Sequence, residues 1–386
     1  MREINAKDFV CPGRSDSAVI RAALSAAGFG DTVRIPRFNG NRGKAEWRIS
    51  ETLMIPSGVT LLLDNAALIL ETGTYCNMLS AQKGTENIAV VGEGNALISG
   101  GEWNYLSGKM AGKYGLPDVR VNALLRFTGV KGLRIQGLRF EMARWASLLL
   151  EDTAEAELKN LFFDMIPHVQ ELYGVFLGCG CQRIAMENLT GRTGDDCVLI
   201  FGDDSRYPEG GDISEIRIRN LSMDSNRGSL VHIRTNGGHK VSKVSMDTLV
   251  DSSDFFEKKR IRSNCEIGTC MAELKPASLG EISEISLVNA YSAAYFTVAL
   301  DGPADHCRFE RIWTFGDNIN IVKSNAGAEV RDLRFRRLYW GAGSEPNNAG
   351  SFISRYAKGA RPVELERVKG DYSVEKLFLQ EEEDHG

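Results

Sequence analysis

Short stretches of alternating apolar and polar residues recur along the chain, and each stretch ends in a turn. The shared phrase is apolar, any residue, apolar, two residues of any kind, then apolar, often with Asn or Gly before the last position. Its middle apolar positions are Ile135, Leu158, Met186, Ile218, Met246, Leu287, Phe309 and Phe335. Consecutive positions are 23, 28, 32, 28, 41, 22 and 26 residues apart, so the period is loose but persistent.

This repeat predicts a stacked architecture. Each phrase alternates as a short strand does, so its apolar face needs a neighbouring strand above and below. Intervals of this length, with the longer ones absorbing loops, are typical of β-helix coils. A doubly wound sheet would require amphipathic helices between the strands, and the intervening segments lack helical periodicity. We therefore predict an all-β fold, a single-stranded right-handed parallel β-helix.

The two ends of the chain carry different signals. The stretch "SDSAVIRAALSAAG" at 15–28 predicts a helix that starts at a Ser or Asp cap and ends at Gly28. Such a helix would cover the open first coil, which otherwise exposes its core and strand edges. The predicted organisation is a single domain over 1–386, with this N-terminal capping helix, coils over 32–340, and a C-terminal cap with an acidic tail over 341–386.

Composition and charge limit the partners of the protein. A hydrophobic fraction of 43% supplies a core, and a net charge of −5 disfavours general electrostatic binding to nucleic acid. No run reaches the ~18 apolar residues that span a bilayer, and the first residues lack the apolar section of a secretory signal. We expect a cytoplasmic protein, secreted if a leader was removed, with no nucleic-acid or membrane partner; its oligomeric state stays open.

Eight cysteines are scattered through the chain, unlike the dense framework of a small secreted domain. Reduced thiols are therefore expected. Cys179 and Cys181 would lie on one face of a strand, with Cys197 near them, but zinc sites usually have CxxC or His ligands at loop spacing. We predict buried thiols here, and neither a metal nor a cofactor.

The paired aspartates in "TGRTGDDCVLIFGDD", at 190–204, raise the question of chemistry. Several stretches earlier in the chain bear on this question. They are the opening helix, "TVRIP" (32–36), "SGVTLLLDNAALIL" (57–70), "ISGGEW" (98–103), and the stretch 121–163 that contains Trp145. Over about residues 1–340 the sequence resembles the polygalacturonases of glycoside hydrolase family 28, in the pectin lyase-like β-helix superfamily. The resemblance implies hydrolysis of a glycosidic bond in a plant-type or uronic-acid-containing oligosaccharide.

The family's catalytic pattern begins with an Asn-Thr-Asp-Gly phrase and continues with an Asp-Asp pair about one coil later. "YGVFLGCGCQRIAMENLTGRTGDDCVLI" matches both in register, with Tyr173 in place of the first acid and Asp195 and Asp196 as the pair. The resemblance makes Asp195 the acid and Asp196 a base, and two close carboxylates do not ionise together. Glu171, on the same face of an extended strand as Tyr173, is the preferred replacement acid. A turn between coils is the structural alternative for the aspartate pair.

The family's third and fourth phrases are Gly-His-Gly and Arg-Ile-Lys. Ser229 stands in the position of the histidine, and His232, three residues later, is the predicted substitute or else a structural histidine. "KRIRS" places Arg260 at the position of the arginine and Arg262 at that of the lysine. Both guanidinium groups would bind a carboxylate bidentately, or else they form a charged face.

The predicted catalytic residues are thus Asp195, Asp196, Glu171 and His232. The predicted substrate-binding residues are Tyr173, Trp145, Arg234, Arg260, Arg262, His168, Asp203 and Asp204. Trp145 and Tyr173 would form a sugar platform or pack internally, and Arg234 shares the strand parity of His232. His168 would line the cleft. Asp203 and Asp204 are further candidates for the replacement acid, or part of a solvated loop.

Two other functions fit these residues. A lyase or epimerase acting on uronic acids would use clustered aspartates and an arginine base. A catalytically silent carbohydrate-binding β-helix would result from the loss of the acid at Tyr173.

Overall fold

A computed structural model gives the arrangement of the chain. It describes residues 1–39, 45–101, 122–165, 171–203, 210–225, 228–236, 238–252, 263–269, 281–292, 294, 296–300, 304–314, 320–324, 330–340 and 361–366. The chain divides into two compact units, unit 1 at 1–195 and unit 2 at 196–386.

The described part of unit 1 is built almost entirely from short strands. Its elements are β1 (Glu3–Asn5), a 3-10 helix (Ala6–Phe9), α1 (Asp16–Ser25), β2 (Thr32–Pro36), β3 (Glu46–Ile49), β4 (Leu53–Met54), β5 (Thr60–Asp64), β6 (Ala67–Leu70), β7 (Leu79–Ser80), β8 (Glu86–Glu93), β9 (Leu97–Ser99), β10 (Leu125–Thr128), β11 (Lys131–Gln136), β12 (Arg139–Glu141), β13 (Ala146–Glu151), β14 (Ala154–Asp164), β15 (Tyr173–Leu177) and β16 (Gln182–Thr193).

The described part of unit 2 consists of strands. They are β17 (Val198–Asp203), β18 (Ile213–Ser225), β19 (Val231–Asn236), β20 (Val241–Asp251), β21 (Ser263–Thr269), β22 (Ile282–Ser292), β23 (Phe296–Leu300), β24 (Ala304–Thr314), β25 (Asn320–Ser324), β26 (Val330–Trp340) and β27 (Arg361–Glu366).

Every strand pairing described within a unit is parallel. Apart from β26 and β27, which follow one another, strands that pair are separated in sequence by at least one strand of another sheet or ladder, or by α1. In unit 1 one sheet contains the ladders β1-β2-β5-β8-β11-β14-β16 and β3-β6-β9-β12-β14, and a second contains β4-β7-β10-β13-β15. In unit 2 the first sheet contains β18-β20-β22-β24-β26-β27 and the second β17-β19-β21-β23-β25. This is the pairing of a parallel β-helix, and the predicted fold class is confirmed.

The repeat phrases found in the sequence stack in register. The paired middle positions are Ile135, Leu158 and Met186 in unit 1, and Ile218, Met246, Leu287 and Phe309 in unit 2. Each of them is at most 2% exposed. The apolar side chains therefore form continuous internal columns, and burial of each depends on the coils on either side.

Two residues with left-handed backbone, five positions apart, bend six of the long repeat strands, β14, β16, β18, β20, β22 and β24. The pairs are Glu155 and Asn160, Arg183 and Asn188, Glu215 and Asn220, Lys243 and Thr248, Glu284 and Asn289, and His306 and Arg311. A positive φ is unfavourable for residues with a Cβ and is best tolerated by Asn, which explains the Asn in the repeat phrase. Neighbouring coils also join here, since the Asn188 amide donates to Asn160 Oδ1 at 2.8 Å.

We expect Asn188→Ala to lower the free energy of unfolding by about 1–2 kcal/mol, because alanine bears the full steric cost of the left-handed bend. Asn188→Gly should cost less, since glycine adopts this φ freely. Urea denaturation of both variants tests this, with Glu187→Ala in the neighbouring extended backbone as the control. Equal losses for alanine and glycine would contradict the assignment of strain to this bend.

Helix α1 confirms the predicted N-terminal helix and differs from it at the end. Ser15 caps its start, but the C-cap is Ala26, and Gly28 follows without a positive φ. The Gly28 N–H instead donates to Asp31. In unit 1, α1 packs on β3 and β4. No helix in the described ranges is long and apolar enough to cross a membrane.

Paired strands extend beyond the predicted coil bounds of 32–340. At the start of unit 1, β1 precedes α1 and pairs with β2. In unit 2, β27 lies within the segment predicted as C-terminal cap and pairs with β26. A single domain over 1–386 stays a prediction.

The cysteines near the aspartate pair are buried thiols. Cys179, Cys181 and Cys197 are at most 1% exposed, and Cys181 Sγ lies 3.2 Å from the Leu150 carbonyl oxygen. Burial raises the pKa of Cys181 to about 12, so this thiol stays protonated. Among the residues with described positions, no cluster of His, Cys, Asp and Glu has the arrangement of a metal site.

Candidate functional site

The carboxylate of Asp195 lies in the last turn of unit 1, beside the segment that precedes β15. Its Oδ2 accepts a hydrogen bond from the Glu171 backbone N–H at 3.0 Å, and its own N–H donates to the Leu172 carbonyl at 3.1 Å. The structure thus brings together Asp195 and Glu171, two of the predicted catalytic residues.

Glu171 occupies a different backbone conformation from the one predicted. It was expected on an extended strand in phase with Tyr173, but it lies in a turn with φ of 59°. Its Oε2 is buried and has no hydrogen-bond partner in the described part of the chain. A turn, and not strand alternation, therefore brings this residue to Asp195.

The predicted sugar platform is wrong for Trp145, which is only 1% exposed. Its ring meets the Tyr173 ring edge-on at 6.2 Å between centroids and lies 5.2 Å from the Phe176 ring. Tyr173 is 9% exposed and also contacts Phe176. These rings form an internal aromatic cluster, which is the packing alternative for both residues.

In unit 2, Asp196 is the centre of a buried polar cluster. Its Oδ1 accepts the Ser229 backbone N–H at 2.7 Å, and its Oδ2 lies 2.9 Å from His232 Nδ1. On the other side of the ring, His232 Nε2 lies 3.7 Å from Glu266 Oε1. The Ser229 hydroxyl donates to Glu266 Oε2 at 2.8 Å and closes the ring of contacts. We call these four residues the Asp196 cluster.

Strand alternation explains how the cluster forms. Val231 and Ile233 of β19 point into the core and are fully buried, so His232 between them faces outward. On the adjacent strand β21, Cys265 and Ile267 are buried in the same way, and Glu266 between them pairs with His232 in register. The structure thus adds Glu266, which was not predicted as a site residue, to His232, which was.

The cluster is charged, and the charges of Asp196 and His232 stabilise each other. Burial alone would raise the pKa of Asp196, but the charge and hydrogen bond of His232, together with the Ser229 N–H and the charge of Arg234, outweigh it and lower that pKa. Burial alone would lower the pKa of His232, but the Asp196 carboxylate outweighs it and raises that pKa, with Glu266 contributing. The arrangement therefore favours an aspartate carboxylate next to an imidazolium.

Arg234 lies two residues beyond His232 on the same face of β19, as predicted from parity. Its guanidinium carbon lies 4.2 Å from the centre of the Phe201 ring, on the adjacent strand β17. Its Nε is buried without a hydrogen-bond partner among the residues whose placement is described. Its positive charge contributes to lowering the pKa of Asp196.

Several predicted residues lie outside the described residues: His168, Asp204, Arg260 and Arg262. Asp203 ends β17, where its backbone pairs with Asn236 of β19. The substrate-binding roles of all five stay predictions.

Comparison with solved structures finds similar folds at low sequence identity. The exopolygalacturonase of Thermotoga maritima is 14% identical, with 95% of this chain and 92% of that chain covered and a TM-score of 0.62. The family 28 exopolygalacturonase of Yersinia enterocolitica is 13% identical, with 96% and 79% covered and a TM-score of 0.57. A tailspike mutant of E. coli bacteriophage HK620, in complex with a pentasaccharide, is 11% identical, with 88% and 67% covered and a TM-score of 0.57.

These similarities show the fold. Comparisons with protein-family models and with curated proteins found no match.

Proposed function

We propose that the protein binds an oligosaccharide and hydrolyses a glycosidic bond, with Asp196 as the carboxylate that activates water. The observation that carries this proposal is the Asp196 cluster, in which a buried aspartate is held by a backbone N–H and by His232. Similar folds in two exopolygalacturonases and in a tailspike complexed with a pentasaccharide support a carbohydrate substrate.

Inverting hydrolysis requires an ionised carboxylate that takes a proton from water and an acid that protonates the leaving oxygen. Asp196 suits the first role, because His232 and the Ser229 N–H both stabilise its ionised form. The resemblance assigns the second role to Asp195, and Glu171, whose backbone N–H donates to Asp195, is the alternative acid. A uronic-acid-containing or other plant-type oligosaccharide is the proposed substrate.

A screen of pectic and other plant oligosaccharides, with products resolved by chromatography and anomeric configuration followed by NMR, tests this function. We expect shortened products that first appear with inverted configuration. Chelator-sensitive activity with unsaturated products would instead establish a lyase.

A carbohydrate-binding protein without turnover is the second candidate. It is favoured by Tyr173, which occupies the position of the family's first acid and packs with Trp145 and Phe176. Saturable binding of an oligosaccharide, with no product after prolonged incubation, would establish this function.

Separate substitutions in unit 1 distinguish the two candidate acids. The true proton donor is expected to lose about 10²–10⁴-fold in kcat when it is changed to its amide, Asp195→Asn or Glu171→Gln, because the amide keeps the size and loses the transferable proton. A leaving group that departs without protonation should restore much of the rate in that variant alone. Asp164→Asn serves as the control, because Asp164 of β14 is an acid of the same unit that forms an ion pair with Arg192. If neither amide variant loses more than tenfold in kcat, neither residue is the general acid.

A further inference from the structure

His232 has a carboxylate on each side of its ring. Nδ1 lies 2.9 Å from Asp196 Oδ2, and Nε2 lies 3.7 Å from Glu266 Oε1. A neutral imidazole carries a proton on one nitrogen only, whereas an imidazolium donates from both. The arrangement therefore suits a protonated ring that has a hydrogen-bonded carboxylate at Nδ1 and an ion-pair partner at Nε2.

Glu266 holds more than the histidine. Its second oxygen, Oε2, accepts the Ser229 hydroxyl at 2.8 Å, and the backbone N–H of the same serine donates to Asp196 at 2.7 Å. Glu266 is thus connected to Asp196 by two routes, one through the imidazole ring and one through Ser229. Its side chain is only 4% exposed, less than the 14% of His232.

We propose that Glu266 is a positioning residue that orients Asp196 through His232 and Ser229. Glu266 fixes the ring by its Nε2 side and fixes the serine by its hydroxyl, so both donors to Asp196 stay in place. The water-activating oxygen then keeps one direction. The catalytic consequence rests on the proposed function, whereas the positioning itself is independent of any substrate.

The charges that face His232 among the described residues are those of Asp196, Glu266 and Arg234. The two carboxylates raise the pKa of the ring and Arg234 lowers it, against a background of burial that also lowers it. Removing the charge of Glu266 while keeping its shape should therefore lower the pKa of His232 and leave the Asp196 contact present.

The experiment is a pH titration of the histidine ring carbons by NMR in the full-length protein, without substrate. The chain has five histidines, so selective labelling gives few resonances, and His232→Gln identifies the one to follow. We expect Glu266→Gln to lower the pKa of His232 by about one pH unit, the low end of the effect of a neighbouring opposite charge. Glu310→Gln, at a buried glutamate of β24 in the same unit, should leave it unchanged.

A second variant separates positioning from general loss of structure. Ser229→Ala removes the hydroxyl contact and keeps the backbone N–H, so we expect circular dichroism to stay native and the His232 resonance to broaden or shift. If Glu266→Gln leaves the His232 titration unchanged, or if Glu310→Gln shifts it equally, the positioning role is overturned. Where turnover is measured, Glu266→Gln should lower kcat more than it changes KM. A protein that proves inactive on every glycan leaves the NMR result as the test of this inference.

Discussion

Asp196→Asn is expected to lower kcat for oligosaccharide hydrolysis by about 10²–10⁴-fold, the usual contribution of an acid or base in the transition state. The amide retains an oxygen for the Ser229 N–H, but it removes the proton acceptor and leaves His232 without its closest carboxylate. Initial rates of product release, measured at saturating substrate, test this expectation. KM should change much less than kcat, because the loss falls on the chemical step.

Asp212→Asn is the matched control, since Asp212 in unit 2 also accepts a backbone N–H, from Lys240 at 2.9 Å. It should keep wild-type activity. A loss below tenfold for Asp196→Asn would reduce Asp196 to a structural aspartate and would favour the carbohydrate-binding protein.

Asp196→Asn should also change how the free energy of unfolding depends on pH. The raised pKa of His232 gives stability that is complete below its ordinary value of 6.5 and is lost as pH rises through the folded-state pKa. The lowered pKa of Asp196 gives stability present above its ordinary value of 3.8 and lost as pH falls through the folded-state pKa. Between these limits the wild-type protein gains most from the pair. Urea denaturation across the pH range should show a flatter profile for Asp196→Asn.

Trp145→Ala is expected to lower the free energy of unfolding by about 3–5 kcal/mol, the range for removing a large buried aromatic side chain. The indole is 1% exposed and touches two aromatic rings, so its removal leaves a cavity that backbone pairing on both sides of β13 prevents from closing. Urea denaturation measures the loss. Phe162→Ala is the control, because Phe162 is 39% exposed and has less contact area to lose. Unchanged stability of Trp145→Ala would contradict the role of Trp145 in internal packing.

The fold was predictable because its signal is repeated. One alternating phrase is ambiguous, but its recurrence from Ile135 to Phe335 indicated stacking, and the paired positions are those that the phrase selected. The Asn before the last apolar residue was also visible in the sequence. Its left-handed backbone supplies the physical reason for that preference.

The site was predictable only where local rules apply. Parity along one strand placed His232 and Arg234 on the same face, and both lie there in β19. Glu266 was missed because it belongs to the next strand of the sheet, and strand parity gives no register across the segment containing β20 that separates β19 from β21 along the chain. Glu171 was placed near Asp195 for the wrong reason, since a left-handed turn and not strand alternation brings it there.

The constant spacing of five residues between the two left-handed bends determines where the chain tolerates changes in length. One residue inserted between Glu215 and Asn220 would reverse the inward and outward sides of everything that follows in β18, while its partner β20 would keep its phase. An insertion between one paired strand and the next leaves every bend in phase, because each coil is positioned by its neighbours and not by the length of its connections. Relatives of this protein should therefore differ in length at the connections between strands and keep the five-residue interval, and new specificities should arise by replacing those connections over an unchanged stack.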